Sequence, residues 1–580
     1  MKRSRARAER RAAARNATGG AGARRDTSGS TPATAAPEAL RRAALAMLAF
    51  LLVVTAFYAA TSPAVGSDTW FTLAAGRYIS EHGIVPSVDV FSYTRDGAPW
   101  FNQEWLTQVL FYQVFRIAGG NGLVALKVAL VVILVLLMAW IGWRRSGTAV
   151  LGALTAMAGA LVCRPYLDMR PHMFTFLGAL VLLALTDSYR RRPRRAPLLG
   201  LPLLLFLWVN LHYGFIYGLG ALALIAGVET ARSLLDPQHA MLRVHAHALA
   251  AVAAAAAVAC VLNPQHFHAL TFPFTILEPA SPWKQVLEWQ PVVLFEEEPL
   301  NPMLFSYFFV AQLVAFAAAL GCGWRRVDLP ALALVGVTGV MAFQARRFVP
   351  LFAMVSAPFL AANLALVRER LVAASSRVPE LRSRRATLAA GAFAILGLTW
   401  VAREGAAELP TFSDGIFEGM VSSSYFPRAA VEFLRRNPLP GRIYNLYNWG
   451  GYLMYTLPDR KVFIDGRAHE VYPSSFYYES ATVESAEPGW ENVLDRYEVS
   501  LILWFSHEDA EDTDLADLLG ELDASPHWRR VYEDGRATVF AHVDRGRQWV
   551  ESLEADTLVY PEGGEPQQRD SSRSRRDGAR

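Results

Sequence analysis

The chain has 580 residues, a formal net charge of +4, 53% hydrophobic residues and only 19% charged residues. Soluble domains carry about 25% charged residues, so this composition indicates a polytopic membrane protein. The arginines cluster in short runs at the ends of apolar segments, where orientation in a bilayer explains them, and a nucleic-acid partner is therefore excluded. The three cysteines, Cys163, Cys260 and Cys322, lie in or beside apolar segments and predict neither a disulfide framework nor a zinc site.

Residues 1–41 are rich in Arg, Ala, Ser, Thr and Gly and have no apolar periodicity, which predicts a disordered basic tail. The first apolar run, Ala43–Ala60, is long enough to span a bilayer and is not followed by a convincing cleavage site, so it predicts an anchored helix. Ten further runs bring the predicted transmembrane bundle, residues 42–403, to about 11 helices. These runs are Leu123–Trp143, Thr148–Cys163, His172–Thr186, Pro197–Val209, Gly214–Gly227, Ala246–Leu262, Met303–Leu320, Leu329–Phe343, Val349–Leu366 and Ala386–Val401.

The arginines at the junctions between these runs predict the orientation of the bundle. Short loops rich in Lys and Arg face the cytoplasm. The segment Pro197–Gly227 could form one bent helix or two short helices, and only two helices keep every arginine-rich junction on the side of the basic N-terminus. The pattern therefore predicts two helices, a cytoplasmic N-terminus and an extracytoplasmic C-terminal part. The junctions are Arg144–Arg145, Arg190–Arg195, Arg232 with Arg243, Arg325–Arg326 and Arg368–Arg385.

A long polar and aromatic connection, residues 63–121, follows the first apolar run. Its central stretch, Ser67–Leu106, carries the carboxylates of Asp68, Asp89 and Glu104 among aromatic residues. A connection this long is not needed to reverse the chain, so it predicts a functional first outer loop. The alternative is an amphipathic cover that places its tryptophans in the interfacial belt of the membrane.

The composition changes after Glu404 to that of a soluble domain. Short segments rich in β-branched and aromatic residues alternate with helical patterns such as DLADLLGEL, which predicts an α/β domain over residues 404–548. The remaining residues, 549–580, are polar and predict a largely disordered tail. The predicted strands are GRIYNLY, KVFIDGR, VSLILWF, WRRVYED and ATVFAHV.

Further charged and polar residues fall on the predicted outer face. Charges at a membrane face are costly unless they are paired, hydrated or used, so their number on one face suggests a site. A carboxylate there could act as a general base or bind a divalent cation, and arginines could hold the phosphate of a lipid-linked donor. The candidates are Arg164, Asp168, Arg170, His172, His212, Lys284, Glu288, Arg346 and Arg347.

Several of these candidates also have a structural explanation. Arg346 and Arg347 break the positive-inside pattern, and an ion pair with Glu296–Glu298 or contact with lipid headgroups would explain them as well as a donor phosphate does. The two histidines are typical of hydrogen-bonding residues at helix ends. Asp168 lies between two arginines in CRPYLDMRPH, which favours a local ion pair at least as much as catalysis.

Two stretches resemble a known group of enzymes. The segment DTWFTLAAGRYISEHG, after the first span of a large bundle, resembles the GT-C superfamily of polytopic glycosyltransferases, which use polyprenyl-phosphate-linked sugars. The segment PRAAVEFLRRNPLPGRIYNLYNWGGYLMYTLPDRKVFIDGR distantly resembles the oligosaccharyltransferase catalytic subunit, whose WWDYG signature follows a short helix and strand. This chain has Tyr447, Asn448, Trp449, Gly450 and Gly451 there, so it lacks the signature aspartate, and recognition of an Asn-x-Ser/Thr sequon is in doubt.

The resemblance implies roles for several residues. Asp68 would be the catalytic base or a ligand of a divalent cation, Mg or Mn, if one is used, with Asp89 as the second metal candidate. Asp89, Asp168 and Glu288 are candidates for the further acidic positions, and Glu104 is grouped with the catalytic candidates. Arg346 or Arg347 would contact the donor phosphate, with Arg164 and Arg170 as further phosphate candidates. Trp449, Asp465 and Arg467 are additional candidates, although YNWGGYL and FIDGR also fit a strand–turn–helix and a structural ion pair.

The sequence therefore predicts a multi-pass inner-membrane glycosyltransferase of the cell envelope. It would move a sugar from a polyprenyl-phosphate donor to an unknown saccharide, lipid or protein acceptor on the outer side, with inversion at the anomeric carbon. Two alternatives remain. A transporter or flippase for lipid-linked saccharides would need polar groups deep in several spans. A non-catalytic assembly protein could keep the fold without the activity.

Overall fold

The computed structural model of the chain describes residues 35–61, 67–235, 240–277, 281–282, 287–293, 301–323, 326–374, 403, 425–506 and 516–561. The chain divides after Met47 into a short N-terminal unit and a large unit, Leu48–Arg580. The described part is mainly helical and contains a four-stranded sheet near its C-terminal end.

Eleven helices precede the sheet region in the described residues. Six of them, α1, α3, α4, α5, α7 and α11, contain stretches long and apolar enough to cross a membrane, judged by length and composition alone. Together with the shorter apolar helices α6, α8, α9 and α10 they indicate a multi-pass membrane protein. The bounds are α1 (Ala35–Ala60), α2 (Ser67–His82), α3 (Trp105–Ser146), α4 (Ala149–Cys163), α5 (Met173–Arg191), α6 (Arg195–Leu211), α7 (Phe215–Leu235), α8 (Ala240–Ala259), α9 (Asn301–Gly323), α10 (Leu329–Gln344) and α11 (Val349–Ala374).

The predicted apolar runs coincide with these helices as far as the structure describes the chain. The prediction that Pro197–Gly227 forms two helices is confirmed, because α6 ends at Leu211 and α7 begins at Phe215. The last predicted run, Ala386–Val401, lies outside the described residues, so the total of about 11 transmembrane helices stays a prediction.

The turn between α3 and α4 shows how the sequence sets a helix boundary. Gly147 ends α3 with φ +73°, a left-handed conformation that glycine adopts without steric cost. Thr148 then caps α4, because its side chain accepts a hydrogen bond from the Leu151 backbone N–H at 3.4 Å.

Arginines from several predicted cytoplasmic junctions meet acidic residues at one end of the bundle. Arg145 pairs with Asp187 at 2.9 Å and with Asp328 at 3.0 Å, and Arg190 pairs with Asp328 at 2.8 Å and with Glu229 at 2.9 Å. These ion pairs join α3, α5, α7 and the start of α10. The grouping agrees with the sequence prediction that these junctions share one side.

The first outer loop contains more regular structure than its polar sequence suggests. Helix α2 covers its first part, and α3 already begins at Trp105. Gly119, with φ +62° and ψ −161°, interrupts the helical geometry of α3 close to the start of the predicted membrane run. The residues before Gly119 therefore form a separate helical stretch, and only residues 83–104 connect α2 and α3 without a helix.

The C-terminal region has four strands in the order β1-β2-β4-β3, with β1 parallel to β2 and the other pairs antiparallel. Four of the five predicted strands are confirmed. The prediction for KVFIDGR is wrong, because within the described residues its Val462 forms only an isolated bridge, with Ser92 of the first outer loop. The elements are α12 (Arg428–Arg436), β1 (Arg442–Asn445), α13 (Tyr447–Thr456), α14 (Ser474–Glu484), α15 (Trp490–Arg496), β2 (Val499–Phe505), α16 (Ala516–Ala524), β3 (Trp528–Glu533), β4 (Ala537–His542) and α17 (Arg547–Glu554).

The hydrophobic core of this region includes the first outer loop. Trp70, Phe71 and Trp100 of that loop are buried in the same cluster as the strand residues of the sheet. The cluster also contains Trp549 and Leu558, so the fold continues past residue 548, where the sequence predicts a disordered tail. Burial of these two apolar side chains in an otherwise polar segment explains why composition alone misses α17.

Candidate functional site

Four segments bring most of the predicted outer-face candidates together. The first turn of α2 provides Asp68, and the connection from α4 to α5 provides Asp168, Arg170 and His172. The short 3-10 turns Leu287–Trp289 and Arg346–Phe348 provide Glu288 and Arg347. The side chains are partly exposed, which leaves the cluster accessible to a ligand.

Arg170 lies at the centre of this cluster. Its Nη2 pairs with Asp68 Oδ2, its Nη1 donates to Glu288 Oε2 at 3.0 Å, and its Nε lies 3.7 Å from Asp168 Oδ2. The start of α2 is also tied to this connection by the Thr69 hydroxyl, which donates to the Met169 carbonyl at 2.8 Å. One guanidinium therefore joins carboxylates from three segments that are far apart in sequence.

The basic candidates differ in their exposure and in the groups that they contact. Arg347 stacks on the Trp289 ring at 4.1 Å and lies 3.4 Å from Glu288, and about 27% of its side chain is exposed. Arg346 is buried and its Nε donates to the Pro291 carbonyl at 3.1 Å. Arg164 donates from Nε to the Tyr58 carbonyl at 3.3 Å and lies 4.4 Å from the Tyr58 ring. Among these three arginines, Arg347 is thus the one that combines exposure with contact to the carboxylate cluster.

Glu104 and His212 form a second pair beside this cluster. His212 Nδ1 accepts hydrogen bonds from the Gly214 backbone N–H at 3.0 Å and from the Thr175 hydroxyl at 2.6 Å. Since Nδ1 is an acceptor, neutral His212 carries its proton on Nε2, which lies 3.4 Å from Glu104 Oε1. The Thr175 oxygen also accepts a hydrogen bond from the Trp208 indole at 3.1 Å.

His172 has contacts of a structural kind. Its Nε2 lies 2.8 Å from the Tyr166 carbonyl, to which it donates, and 3.4 Å from Asp168 Oδ1. Burial lowers the pKa of His172, and the neighbouring charge of Asp168 opposes that shift. These contacts favour the structural explanation for this histidine over a catalytic one.

Burial raises the pKa of the carboxyl groups in the site, whereas the neighbouring arginines lower it. Burial raises the pKa of Asp68, and Arg170 opposes the shift. Burial also raises the pKa of Glu104 well above its usual value, with Glu470 and Asp68 adding to the effect. Burial acts the same way on Glu288, but the guanidinium groups of Arg170 and Arg347 outweigh it and hold the pKa of Glu288 well below its usual value. The cluster therefore contains carboxyl groups with different proton affinities, as acid–base sites often do.

Glu470 joins the site from the C-terminal region and is not among the residues predicted from the sequence. The Trp100 indole donates to Glu470 Oε2 at 3.1 Å, and the Tyr213 hydroxyl lies against the same carboxyl while donating to the Phe101 carbonyl at 2.6 Å. Burial raises the pKa of Glu470 to about 7. Its position in GRAHE, between a predicted strand and a helix, was the only signal in the sequence.

Asp89, Asp465 and Arg467 form a separate, fully buried network. Arg467 donates to both oxygens of Asp465, at 2.8 and 2.7 Å, and to Asp89 Oδ1 at 2.7 Å. The Tyr472 hydroxyl donates to Asp465 Oδ2 at 2.6 Å, and the side chains of the ionic residues have no solvent exposure. These contacts favour the structural ion pair for Asp465 and Arg467. They also link the first outer loop to the C-terminal region.

One further candidate, Trp449, lies apart from the open cluster. Trp449 is buried in α13, and its indole donates to the Tyr425 carbonyl at 2.8 Å. Its contacts are those of a core residue. Lys284, like the acidic run Glu296–Glu298, lies outside the described residues.

The predicted metal pair, Asp68 and Asp89, does not fit one ion. Asp68 contacts Arg170, whereas Asp89 contacts Arg467, and an arginine already neutralises each carboxylate. Within the described residues, no group of three or more His, Cys, Asp or Glu side chains is arranged to hold a metal ion. The residues present thus do not match the divalent cation that the resemblance implied.

Comparison with solved structures identifies the fold. The archaeal oligosaccharyltransferase AglB from Archaeoglobus fulgidus, in complex with an inhibitory peptide and a dolichol-phosphate, aligns over 83% of this chain and 72% of its own, with 12% identity and a TM-score of 0.53. The chain has a GT-C fold. The A. fulgidus oligosaccharyltransferase in complex with Zn and sulfate aligns over 85% and 73%, with 14% identity and a TM-score of 0.51.

A further structure is similar over nearly its whole length. ArnT from Cupriavidus metallidurans, bound to undecaprenyl phosphate, aligns over 86% of this chain and 98% of its own, with 15% identity and a TM-score of 0.44. No family model matches the sequence, and no curated protein matches it. The identities to the two A. fulgidus structures are low, so those likenesses show the fold and leave the reaction to the site itself.

Proposed function

We propose that the protein is a membrane glycosyltransferase that moves a sugar from a polyprenyl-phosphate donor to an acceptor on the outer side of the inner membrane. The observation that carries the proposal is the half-buried cluster of Asp68, Arg170, Glu288 and Arg347, which places carboxylates and cations together in a GT-C fold. The A. fulgidus relative of this fold binds a dolichol-phosphate, which supports a lipid-linked donor.

Arg347 is the proposed contact for the donor phosphate. Its guanidinium is partly exposed and lies over the Trp289 ring, so it can present two N–H groups to phosphate oxygens without losing much side-chain freedom. The buried Arg346 and the tyrosine-stacked Arg164 would add positive potential without direct contact. A lysine in place of Arg347 could not reproduce the planar two-point contact.

Asp68 is the proposed base for the acceptor. Its Oδ2 is held by Arg170, so the carboxylate is oriented, and Oδ1 would take the proton of an acceptor hydroxyl. The acceptor oxygen would bond to the anomeric carbon as the bond from that carbon to the phosphate oxygen breaks. Polyprenyl phosphate would leave with the electron pair, and one displacement gives inversion. Burial raises the pKa of Asp68 towards the working pH and so favours proton uptake.

The proposed orientation puts this cluster on the extracytoplasmic side, with the N-terminus in the cytoplasm. It rests on the arginine distribution in the sequence, since the positive-inside pattern places the arginine-rich end of the bundle in the cytoplasm. The acceptor would be a saccharide, lipid or protein other than a sequon peptide, because the sequence lacks the aspartate of the WWDYG signature.

The experiment that tests the function measures turnover of radiolabelled polyprenyl-phosphate sugars by the purified full-length protein in lipid nanodiscs, with an acceptor-containing extract. We expect sugar transfer or donor hydrolysis by the wild type and a loss of about 100-fold or more in Asp68→Asn. Glu81→Gln is the matched control, because Glu81 is exposed on the same helix.

Two results would contradict the proposal. Folded wild-type protein without turnover of any donor would refute the transferase and leave the assembly or transport alternatives. Equal turnover in the wild type and Asp68→Asn would refute the role of Asp68, whereas equal losses in Asp68→Asn and Glu81→Gln would show that the assay reports on folding of α2.

A further inference from the structure

Arg170 occupies a position that is unusual for a surface ion pair. Its guanidinium contacts Asp68 and Glu288 and lies 3.7 Å from Asp168, and these three carboxylates come from separate parts of the chain. The four side chains are between 23% and 28% exposed. Three partly desolvated carboxylates repel one another and require a cation among them.

A divalent metal ion is the usual cation in a cluster of oxygen ligands, and metal ions are often the largest local charge in such sites. In this cluster the guanidinium of Arg170 lies where such a metal ion would be expected. Each carboxylate approaches a different nitrogen of the guanidinium, so their oxygens are spread along a planar fork and do not converge on one point. This spread agrees with the finding that, among the described residues, these carboxylates are not part of a group arranged to hold a metal ion.

We propose that Arg170 is a built-in cation that takes the place of a divalent metal ion in this carboxylate cluster. The positive charge is covalently attached and is present at any metal concentration. It orients Asp68 through Nη2 and anchors Glu288 through Nη1, which a bound metal ion would otherwise do through its coordination geometry.

The guanidinium of Arg170 is not the only cation of the cluster. Each of the three carboxylates lies against a different nitrogen of that guanidinium. Arg347 adds a second cation on the far side of Glu288, at 3.4 Å. Two covalently attached cations, Arg170 and Arg347, thus lie among the three carboxylates, and the proposal requires no metal ion to balance them.

The test measures metal binding and not turnover. The proposal about Arg170 can therefore be wrong while the proposed transferase activity is right, and the transferase activity can be wrong while the proposal about Arg170 is right. Full-length protein in detergent is titrated with Mn²⁺, and free Mn²⁺ is followed by electron paramagnetic resonance. The variants are Arg170→Ala, Arg170→Lys, Asp68→Asn and the double variant Arg170→Ala with Asp68→Asn. Gel filtration and thermal unfolding verify that each variant is folded. If a variant that carries Arg170→Ala does not fold, Arg170→Gln takes the place of that substitution.

We expect no stoichiometric Mn²⁺ binding by the wild type or by Arg170→Lys, since both keep a cation in the cluster. Arg170→Ala removes that cation and leaves three carboxylates around the vacated volume, so it should bind about one equivalent of Mn²⁺. The double variant should lose this binding, which locates the ion at Asp68. An equivalent of Mn²⁺ on the wild type that Asp68→Asn removes would overturn the proposal. Folded Arg170→Ala without added binding would overturn it as well.

Discussion

The buried network of Arg467 with Asp89 and Asp465 gives the sharpest prediction about stability. In Arg467→Met the two carboxylates lose their cation inside a core where none of the three side chains is exposed. Removing one partner of a buried ion pair costs about 3–5 kcal/mol, because the other charge is left without compensation. The packing of the guanidinium on the Trp100 ring, at 4.7 Å, is lost too, although methionine replaces part of it.

The expected loss of stability in Arg467→Met determines the change in Tm that the experiment must detect. A loss of about 3 kcal/mol in a unit of this size lowers the apparent Tm by roughly 6 °C, taking about 2 °C per kcal/mol. The assay is thermal unfolding of the full-length protein in one detergent at one scan rate, because membrane proteins often unfold irreversibly. Limited proteolysis at a fixed temperature gives a second measure of unfolding, because a protease cleaves the transiently opened protein.

The chain offers a control that joins the same two segments. Lys461 and Asp96 also connect the region before α14 to the first outer loop, but their side chains are 42% and 57% exposed. Exposed pairs contribute about 0–1 kcal/mol, so Asp96→Asn should leave the apparent Tm within about 2 °C of the wild type. If Arg467→Met unfolds no earlier than Asp96→Asn, the network does not stabilise the fold and the reasoning from burial is refuted.

Three further predictions follow from the site and its surroundings. Burial raises the pKa of Glu470 from 4.5 to about 7, so the folded state holds a proton that the unfolded state releases, and stability falls as pH rises across that window. Glu470→Gln should therefore gain about 1–2 kcal/mol relative to the wild type between pH 5 and pH 8, and parallel Tm profiles would contradict this. Gly450→Ala should lower the apparent Tm by several degrees, because its Cβ would lie 2.1 Å from the Ile464 carbonyl oxygen, whereas Gly520→Ala, with no atom within 4 Å, should not. Arg347→Lys should raise the KM for the lipid donor about 10-fold or more with an unchanged Tm, and an unchanged KM would remove Arg347 from the donor site.

The bundle was largely predictable from the sequence because apolar runs and arginine positions are dictated by the bilayer. The split of Pro197–Gly227 into α6 and α7 followed from the charge pattern, and the structure confirms it. The GT-C fold was indicated by two local resemblances, DTWFTLAAGRYISEHG and the YNWGGYL region, and the structural comparison confirms it. Both signals are local in sequence and need no knowledge of long-range contacts.

The missed features depend on contacts between distant residues. KVFIDGR has the composition of a strand, but Val462 bridges Ser92 and the FIDGR residues supply the ion network, so tertiary contacts override the propensity. Glu470 could not be selected because its partners, Trp100 and Tyr213, lie hundreds of residues earlier. The contacts of Arg170 with Asp68 and Glu288 were hidden for the same reason.

The contacts of α2 explain why the C-terminal region matters for a site to which it contributes few side chains. Arg77 donates to the carbonyls of Tyr455 and Met454 at 3.1 and 3.2 Å and so fixes one end of α2 to α13. At the other end Thr69 fixes the helix to Met169, between Asp168 and Arg170. Asp68 therefore stands on a helix held at both ends, by the C-terminal region and by the connection that carries its cation. A change that loosens α13 should therefore weaken the orientation of Asp68, and we expect the C-terminal region to act as a positioning element for the cluster around Arg170.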